Sequence, residues 1–392
     1  MTAIPFDTGL LDRLMEAAGI DVLLASSKHN VQYLLGDYRF FFFDYMDAVG
    51  KSRYLPIVVY LKGASDKAGY IGNRMESYEK EVRSFWVPEF RPVAFGSVDA
   101  IQAAIEHMRR VGLRASRIGI ESGFLPADAT EALREAFPES RFVDALGVLE
   151  RLRARKAPAE LEKLRRASEG VIASMLAVIG SHGAGTTKRQ LVEALRREEV
   201  SRGLTFEYCL ITAGTSLNRA PSEQVWQDGD ILSLDSGGNY QGYIGDICRM
   251  AILGEPDGEL QDLLAEVDAT QQAAIRPVRH GARGGEVYAG AEAVLTRSAN
   301  RERIEFVAHG MGLVTHEVPH LTDKGPVPYP AEDRDRPLES GMVLSIETTL
   351  QHPRRGFIKL EDTVAVTESG HEAFGDRARG WNRAGRGPRQ RA

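Results

Sequence analysis

The chain has 392 residues, of which 43% are hydrophobic and 27% are charged, and its formal net charge is -6. A chain of this length can bury a substantial core and usually forms more than one domain. The acidic balance argues against general affinity for nucleic acid or anionic membranes. No apolar run approaches the roughly 20 residues that cross a bilayer, and the amino terminus has no basic segment followed by an apolar one. We therefore predict a cytoplasmic protein that binds neither nucleic acid nor a membrane.

Residues 1–150 have the pattern of a separate α/β unit. Apolar residues recur at helical spacing in residues 10–18 and 100–111, which predicts two helices. Short strand-like runs occur at residues 21–25, 56–61 and 117–120. An aromatic run between Tyr38 and Tyr45 holds more rings than one core can absorb. We expect the core to take about half of them and the others to cover a partner subunit or a substrate pocket.

A second unit is predicted to begin at residue 151, where a basic run precedes Pro158, a residue that commonly opens helices. The following periodicity predicts helices and strands in alternation, with helices at 161–179, 188–202, 259–275 and 286–299, strands at 207–212 and 231–253, and more strands in the final third. Residues 376–392 are rich in arginine and glycine and nearly free of apolar residues. We predict that this basic tail is disordered.

Two aspartates lie on a predicted hairpin within residues 231–253. Period-2 alternation predicts two strands, and a stretch rich in glycine and asparagine between them suits a chain reversal. If the reversal centres on Tyr240 and Gln241, Asp235 and Asp246 lie directly opposite each other, with Cβ atoms roughly 4.5–5.5 Å apart. Two carboxylates that close need a proton or a cation between them. The alternative is two unrelated aspartates that face solvent.

The strand-rich end of the chain supplies three further candidate ligands. His309 follows a strand-like run and precedes glycines that allow close backbone approach, although a structural histidine is the alternative. Glu347 and Glu361 lie on strands that are otherwise largely apolar, where an ionised glutamate needs a partner. A hairpin through Pro353 and Gly356 could bring the two glutamates together as a second carboxylate pair.

Together these residues form a set of five ligands that is mostly oxygen. Such a set suits Mn²⁺ or Co²⁺, with Zn²⁺ possible, and its four carboxylates carry enough charge for two divalent ions. Two metal ions can hold a hydroxide and polarise a carbonyl, which is the chemistry of amide hydrolysis. A competing pattern is H-E-x-x-H at residues 316–320, but Pro319 disfavours the helix that this zinc motif requires.

The strings LDSGGNYQGYIGDICR, AHGMGLVTHEVP, LSIET and IKLEDTV, in this order, resemble the pita-bread metallopeptidase family, which includes methionine aminopeptidase, proline dipeptidase and aminopeptidase P. The segment NVQYLLG at residues 30–36 resembles the creatinase-type amino-terminal domain. The resemblance implies a two-domain α/β protein. A creatinase-like α/β domain would span residues 1–150, and a pita-bread α+β domain with a curved antiparallel sheet would span residues 151–375.

The resemblance also implies a role for each candidate residue. Asp235 would chelate one metal ion, Asp246 and Glu361 would bridge two ions, and His309 and Glu347 would complete the second site. From the chemistry of the site we predict that a metal-bound hydroxide attacks the scissile carbonyl, with Glu347 as the base because a carboxylate on a metal lies within reach of the attacking water. His316 would contact the substrate and stabilise the tetrahedral intermediate. Relatives with this amino-terminal domain are commonly homodimers, so we predict a homodimer as well.

Two positions depart from the family pattern. Peptidases of the family usually have a histidine in the loop before the first metal strand, but this chain has none from Gly183 to Val278. Asn218, near the expected place, could donate a hydrogen bond to a substrate carbonyl but could not shuttle a proton. Lys359 stands where proline-specific members tend to have arginine, so it keeps the charge and loses the planar fork.

The sequence therefore predicts a dinuclear-metal hydrolase that resembles Xaa-Pro dipeptidases and aminopeptidases and acts on a small peptide. Asn218 and Lys359 are its candidate substrate-binding residues, beside His316. The alternative is a non-peptidase hydrolase or lyase of the same fold that acts on a small polar metabolite. A catalytically silent binding module is a third possibility, against which the presence of all five candidate ligands argues.

Overall fold

The computed structural model describes residues 3–48, 50, 52–113, 116–327 and 329–385. They divide into two compact units, one up to Arg153 and the other from Ala154 onward. The division falls a few residues after the predicted boundary. Among the described residues, no helix combines the length and the apolar character that a membrane crossing requires.

The first unit is built on a six-stranded mixed sheet. Its strands are β1 (Val22–Ala25), β2 (Ile57–Leu61), β3 (Gly69–Asn73), β4 (Glu89–Ala94), β5 (Arg117–Ile120) and β6 (Arg141–Asp144). They lie in the order β4-β3-β2-β1-β5-β6, and β2 runs antiparallel to both of its neighbours. The helices are α1 (Thr8–Ala18), α2 (Lys28–Leu34), α3 (Ser97–Arg110), α4 (Ala127–Ala136) and α5 (Leu146–Leu152).

Each face of this sheet carries its own hydrophobic core. Leu23 packs into a core with α1 and α5, whereas Val22 and Leu24 pack into a core with α3 and α4. Successive side chains of a strand point to opposite faces, so β1 serves both cores. The predicted α/β class of this unit is confirmed.

The aromatic run is divided between core and surface, as expected. Tyr38, Phe40 and Phe43 are buried, while Phe41 is 62% exposed and Tyr45 is 58% exposed. The run forms a 3-10 helix from Phe41 to Tyr45. With about three residues per turn, successive rings cannot share one face. What covers the exposed rings stays a prediction.

The second unit holds an eight-stranded sheet. Its strands are β7 (Thr205–Ala213), β8 (Ile231–Tyr240), β9 (Tyr243–Ile252), β10 (Ile304–Gly310), β11 (Val343–His352), β12 (Gly356–Val366), β13 (His371–Phe374) and β14 (Asn382–Arg383). The main order is β10-β11-β12-β9-β8-β7, with every neighbouring pair antiparallel. The helices are α6 (Pro158–Ser181), α7 (Lys188–Ser201), α8 (Gly258–Ile275) and α9 (Gly285–Leu295). The antiparallel sheet of the predicted pita-bread domain is confirmed.

Helices α6 and α7 cover one face of β8 and β9, and on the other face a polar stretch lies beside apolar residues that pack with α8. Leu234 and Ile247 pack with residues of α6 and α7 in one core. At Gly245 the helix comes so close that an added Cβ would lie 2.4 Å from the backbone nitrogen of Ser168. Because side chains alternate along a strand, Asp235 and Asp246 project from the opposite face.

The predicted disorder of residues 376–392 is wrong for residues 376–385. Arg379 forms ion pairs with Asp268 and Asp362, and Trp381 donates a hydrogen bond to the carbonyl of Leu260. Strand β14 pairs with β9. Composition alone could not reveal this order, because the carboxylates that hold Arg379 come from distant parts of the chain. Residues 386–392 lie outside the described residues.

We expect Arg379→Ala to destabilise the fold by about 3 kcal/mol, because it removes one of the two cationic partners of the buried Asp362 and also a partner of Asp268. The carboxylate of Asp362 is fully buried, so water cannot replace the lost guanidinium. The measurement is the free energy of urea unfolding. The matched control is Arg383→Ala in the same segment, where the pair with Glu255 is exposed and should contribute roughly 0.5 kcal/mol or less. Equal effects of the two substitutions would contradict the anchoring role of Arg379.

Candidate metal centre

The hairpin of β8 and β9 brings its two aspartates onto one face, but in a different register from the predicted one. Asp235 lies opposite Cys248, and Asp246 lies opposite Gly237. The prediction that the aspartates lie directly opposite each other is therefore wrong. A shift of pairing by two residues preserves the face, because the side-chain period of a strand is 2.

The cause of the shift is the position of the turn. Tyr240 pairs with Tyr243, and the two central residues are Gln241 and Gly242, with φ of 53° and 97°. Positive φ at both positions is the requirement of a type I′ hairpin turn. A turn centred on Tyr240 would force an aromatic residue into this region, where bulky side chains are disfavoured.

The hairpin of β11 and β12 brings the two glutamates together, as expected. Glu347 lies directly opposite Glu361, and on the neighbouring strand β10 His309 lies opposite Ser345. The pairing of Glu361 with Cys248 joins this hairpin to the first one. All five predicted ligands consequently line one cavity of about 220 Å³, and His316 lines it too.

Three of these residues fit a single divalent ion. Ligand atoms of Asp246, His309 and Glu361 lie within 4.8 Å of one another, and all three side chains are buried. Oδ1 of Asp246 has no hydrogen-bond partner among the described residues. Burial, together with the charges of Glu361 and Asp235, raises the pKa of Asp246 well above its usual range. A buried carboxylate with an unpaired oxygen suits a cation, so this group fits a metal ion.

A lysine contacts the two other carboxylates and one of the three residues just described. The Nζ atom of Lys359 lies 2.7 Å from Oδ2 of Asp235 and 2.8 Å from Oε2 of Glu361, and it also contacts Oε2 of Glu347. Burial opposes the charged form of Lys359, but the charges of Asp235, Glu361 and Glu347 together outweigh burial and raise its pKa well above the usual value. Lys359 therefore contacts three candidate metal ligands, and its contact with substrate stays a prediction.

A second cation at the site was missed by sequence reasoning. Arg219 donates a hydrogen bond to Oδ2 of Asp235, and its guanidinium lies 5.0 Å from the centre of the Phe357 ring. Asn218, the predicted substrate-binding residue, is exposed and does not line the cavity. Its Oδ1 accepts hydrogen bonds from Lys188 and from the backbone of Ala220. The loop before β8 therefore contributes Arg219 to the cavity, and not Asn218. A loop has no strand periodicity that could indicate which of the two side chains faces the cavity.

Tyr208 is another residue of the site that the sequence did not reveal. Burial, together with the nearby charges of Asp246, Glu361 and Asp235, raises the pKa of its hydroxyl well above the usual value. Tyr208 lies on β7 and lines the cavity. A tyrosine on an amphipathic strand has no pattern that marks it as functional.

His316 lies against the metal ligands. Its ring stacks on that of His309, with the ring centres 3.8 Å apart. Burial, assisted by the nearby His309 and Lys359, lowers the pKa of His316 to about 3. The imidazole is therefore neutral at neutral pH.

The zinc-protease reading of residues 316–320 is wrong. The segment is not helical, so its two histidines do not share a helix face. Glu317 is buried in an ion pair with Lys156, at 2.7 Å, and His320 stacks on Tyr329 with ring centres 4.1 Å apart.

A second cavity of about 200 Å³ adjoins the first one. The two share Arg219, Pro326 and Glu347 as lining residues. The second cavity adds apolar side chains, which are Leu217, Val307 and Phe357. The combination of a charged cavity and a partly apolar annex suits a small substrate with a polar reacting group and an apolar part.

Comparison with known sequences identifies both units. Residues 162–368 match the model of metallopeptidase family M24, and residues 9–155 match the creatinase/prolidase N-terminal domain. The chain is 23% identical to the uncharacterized peptidase YqhT of Bacillus subtilis, over 93% of this chain and 96% of that protein. It is 25% identical to the Xaa-Pro dipeptidase of Pyrococcus horikoshii, over 80% and 89% of the two chains.

Solved structures share the fold. An Xaa-Pro dipeptidase from Bacillus anthracis superposes with a TM-score of 0.80 at 22% identity, covering 96% of this chain and 98% of that one. The N-terminal domain of the FACT complex subunit SPT16 from Cicer arietinum gives 0.70 at 14% identity, covering 95% and 97%. Such likenesses show the fold alone, whereas the family model spans more than half of the chain. The chain therefore belongs to metallopeptidase family M24 and is a metal-dependent hydrolase.

Proposed function

We propose that the chain is a dipeptidase of the Xaa-Pro type, which hydrolyses the amide bond of a small peptide with the help of a divalent metal ion. The observation that carries the proposal is the convergence of four carboxylates and one imidazole, from β8, β9, β10, β11 and β12, on one cavity. Asp246, His309 and Glu361 would hold an ion. When bound, the ion would polarise the scissile carbonyl and lower the pKa of a bound water.

Glu347 is the residue best placed to accept a proton. Its side chain is 15% exposed, whereas those of Asp235 and Glu361 are 3% and 2% exposed. It also lines both cavities. A general base must lie within reach of the proton that it removes. Lys359 contacts Oε2 of Glu347, which leaves Oε1 for this proton.

His316 would stabilise the negative charge that develops on the carbonyl oxygen. It lines the cavity, and its Nδ1 atom is buried with no hydrogen-bond partner among the described residues. A neutral imidazole carries one N–H donor, and a donor fixed in a low-dielectric site stabilises an oxyanion more than water does. Stacking on His309 fixes the plane of the ring.

Two observations bear on the substrate. The apolar annex formed by Leu217, Val307 and Phe357 would accept a small apolar group such as a proline ring, and relatives of this chain are named Xaa-Pro dipeptidase. The absence of histidine between Gly183 and Val278 favours the second candidate, a hydrolase or lyase of a small polar metabolite. Manganese or cobalt as the native metal, the second ion and the cytoplasmic location stay predictions.

We expect Asp246→Ala to lower the affinity for Mn²⁺ by about 100-fold or more, because loss of even an outer partner of a ligand costs 10- to 100-fold. Isothermal titration of the metal-free protein with Mn²⁺ measures this affinity. Glu305→Ala is the matched control, since Glu305 lines only the adjoining cavity and should leave the affinity unchanged. Undiminished binding by a folded Asp246→Ala protein would remove this residue from the ligand set.

We expect metal-loaded wild-type protein to cleave members of a panel of Xaa-Pro dipeptides. His316→Ala should lower kcat by two to three orders of magnitude with metal content unchanged, because one oxyanion donor contributes roughly 2.7–4 kcal/mol. His320→Ala is the control, since His320 does not line the cavity. If the loaded wild-type protein cleaves no Xaa-Pro peptide, the dipeptidase proposal fails and the small-metabolite alternative replaces it.

The predicted homodimer, with the aromatic run at the edge of the partner's active site, is a further proposal. Replacing Phe41 and Tyr45 by serine should convert a dimer to a monomer, because the two exposed rings would no longer be buried between subunits. Light scattering at micromolar concentration measures the mass. Tyr78→Ser is the control, as Tyr78 is 74% exposed in the same unit but outside the run. A monomeric wild-type protein would refute the proposal.

A further inference from the structure

Lys359 reaches the centre of the carboxylate cluster from a strand that also carries a ligand. On β12 it precedes Glu361 by two residues, so both side chains project from the same face. The residue is only 3% exposed. Its Nζ atom donates a hydrogen bond to Oδ2 of Asp235 and forms ion pairs with Glu347 and Glu361. The ammonium therefore makes the contacts that a cation between these carboxylates would make.

The charges of the site balance with one divalent ion. The four carboxylates are Asp235, Asp246, Glu347 and Glu361. Lys359 and Arg219 together supply two positive charges to the same cavity, Arg219 through its ion pair with Asp235. Two negative charges remain, which equal the charge of one divalent ion. Two divalent ions would leave an excess of positive charge in a buried space, where an uncompensated charge is costly.

The positions of the groups agree with this balance. The cluster that can hold an ion comprises Asp246, His309 and Glu361, and it includes the unpartnered Oδ1 of Asp246. Asp235, the predicted ligand of the other ion, is bound by both cationic side chains. Glu361 belongs to both halves, with its Oε2 atom 2.8 Å from Lys359. Glu361 thus links the ammonium to the ion-binding group, as a bridging carboxylate links two ions.

We infer that this chain binds one divalent ion, at Asp246, His309 and Glu361, and that the ammonium group of Lys359 takes the place of the second ion. The inference rests on the proposed metal-dependent function, and it changes the number of metal ions in that function from two to one. One Lewis acid acts beside a fixed ammonium, which holds Asp235 and Glu347 in place. The predicted pair of metal ions is replaced by one metal ion and one side chain.

The test is the number of ions bound, measured without reference to activity. Wild-type protein, stripped with a chelator and loaded with Mn²⁺, should carry about one ion per chain, whereas Lys359→Ala should carry about two, because the vacated carboxylates can then share a second ion. Elemental analysis gives the count. Electron paramagnetic resonance adds a second readout, since an isolated Mn²⁺ keeps its hyperfine lines and a carboxylate-bridged pair loses them through magnetic coupling.

Lys156→Ala is the matched control. Lys156 is another buried lysine in an ion pair, but its partner is Glu317, which does not line the cavity. Its loss should leave the count at about one. Two ions in the wild-type protein would overturn the inference while leaving the dipeptidase proposal intact, and an unchanged count in folded Lys359→Ala would overturn it as well. If the wild-type protein bound no ion, the metal-dependent function itself would fail. The wild-type count decides the matter even if the variant does not fold.

Discussion

Repulsion among four carboxylates is the constraint on which the second unit depends. Two like charges 4 Å apart repel by about 4 kcal/mol at an effective dielectric constant of 20, and Asp235, Asp246 and Glu361 are each at most 5% exposed. Water cannot screen them there. Cationic side chains offset this repulsion, and two of them, Lys359 and Arg219, line the cavity. The fold is compatible with these carboxylates only because positive charge is supplied where they meet.

The opposite face of the sheet carries a matching buried pair. Arg249 is fully buried, and its Nη1 atom donates to the carbonyls of Cys248 and Glu361. Its Nη2 atom donates to Oδ1 of Asp362, whose other oxygen pairs with Arg379. Only the pair of Glu361 with Cys248 defines the register between β9 and β12 among the described residues. Arg249 therefore stabilises the pairing of β9 with β12, through which the two hairpins that carry the ligands are joined.

The sequence could predict those features of the site that depend on local periodicity. Alternation placed Asp235 and Asp246 on one face, and the short connection through Pro353 and Gly356 set Glu347 opposite Glu361. The exact turn was mispredicted because a choice between neighbouring turn centres depends on which residue tolerates positive φ, and Gly242 decided it.

Features that depend on distant partners could not be predicted. Whether Asn218 or Arg219 faces the cavity depends on Lys188 of α7, which donates to the backbone and side-chain oxygens of Asn218 in the loop. Order in residues 376–385 depends on Asp268 and Asp362. In both cases the local composition was that of a solvated loop, and the fixing interaction was an ion pair or hydrogen bond across more than 15 residues of chain.

The arrangement of carboxylates around position 359 explains why lysine and arginine would act differently there. A guanidinium is planar and binds one carboxylate with two parallel hydrogen bonds, which favours a place at the side of a cluster. An ammonium is a compact point charge with three donors, so Lys359 can stand between three carboxylates that belong to β8, β11 and β12. In this chain the lysine at position 359 therefore determines how many of the carboxylates are left to bind a metal ion.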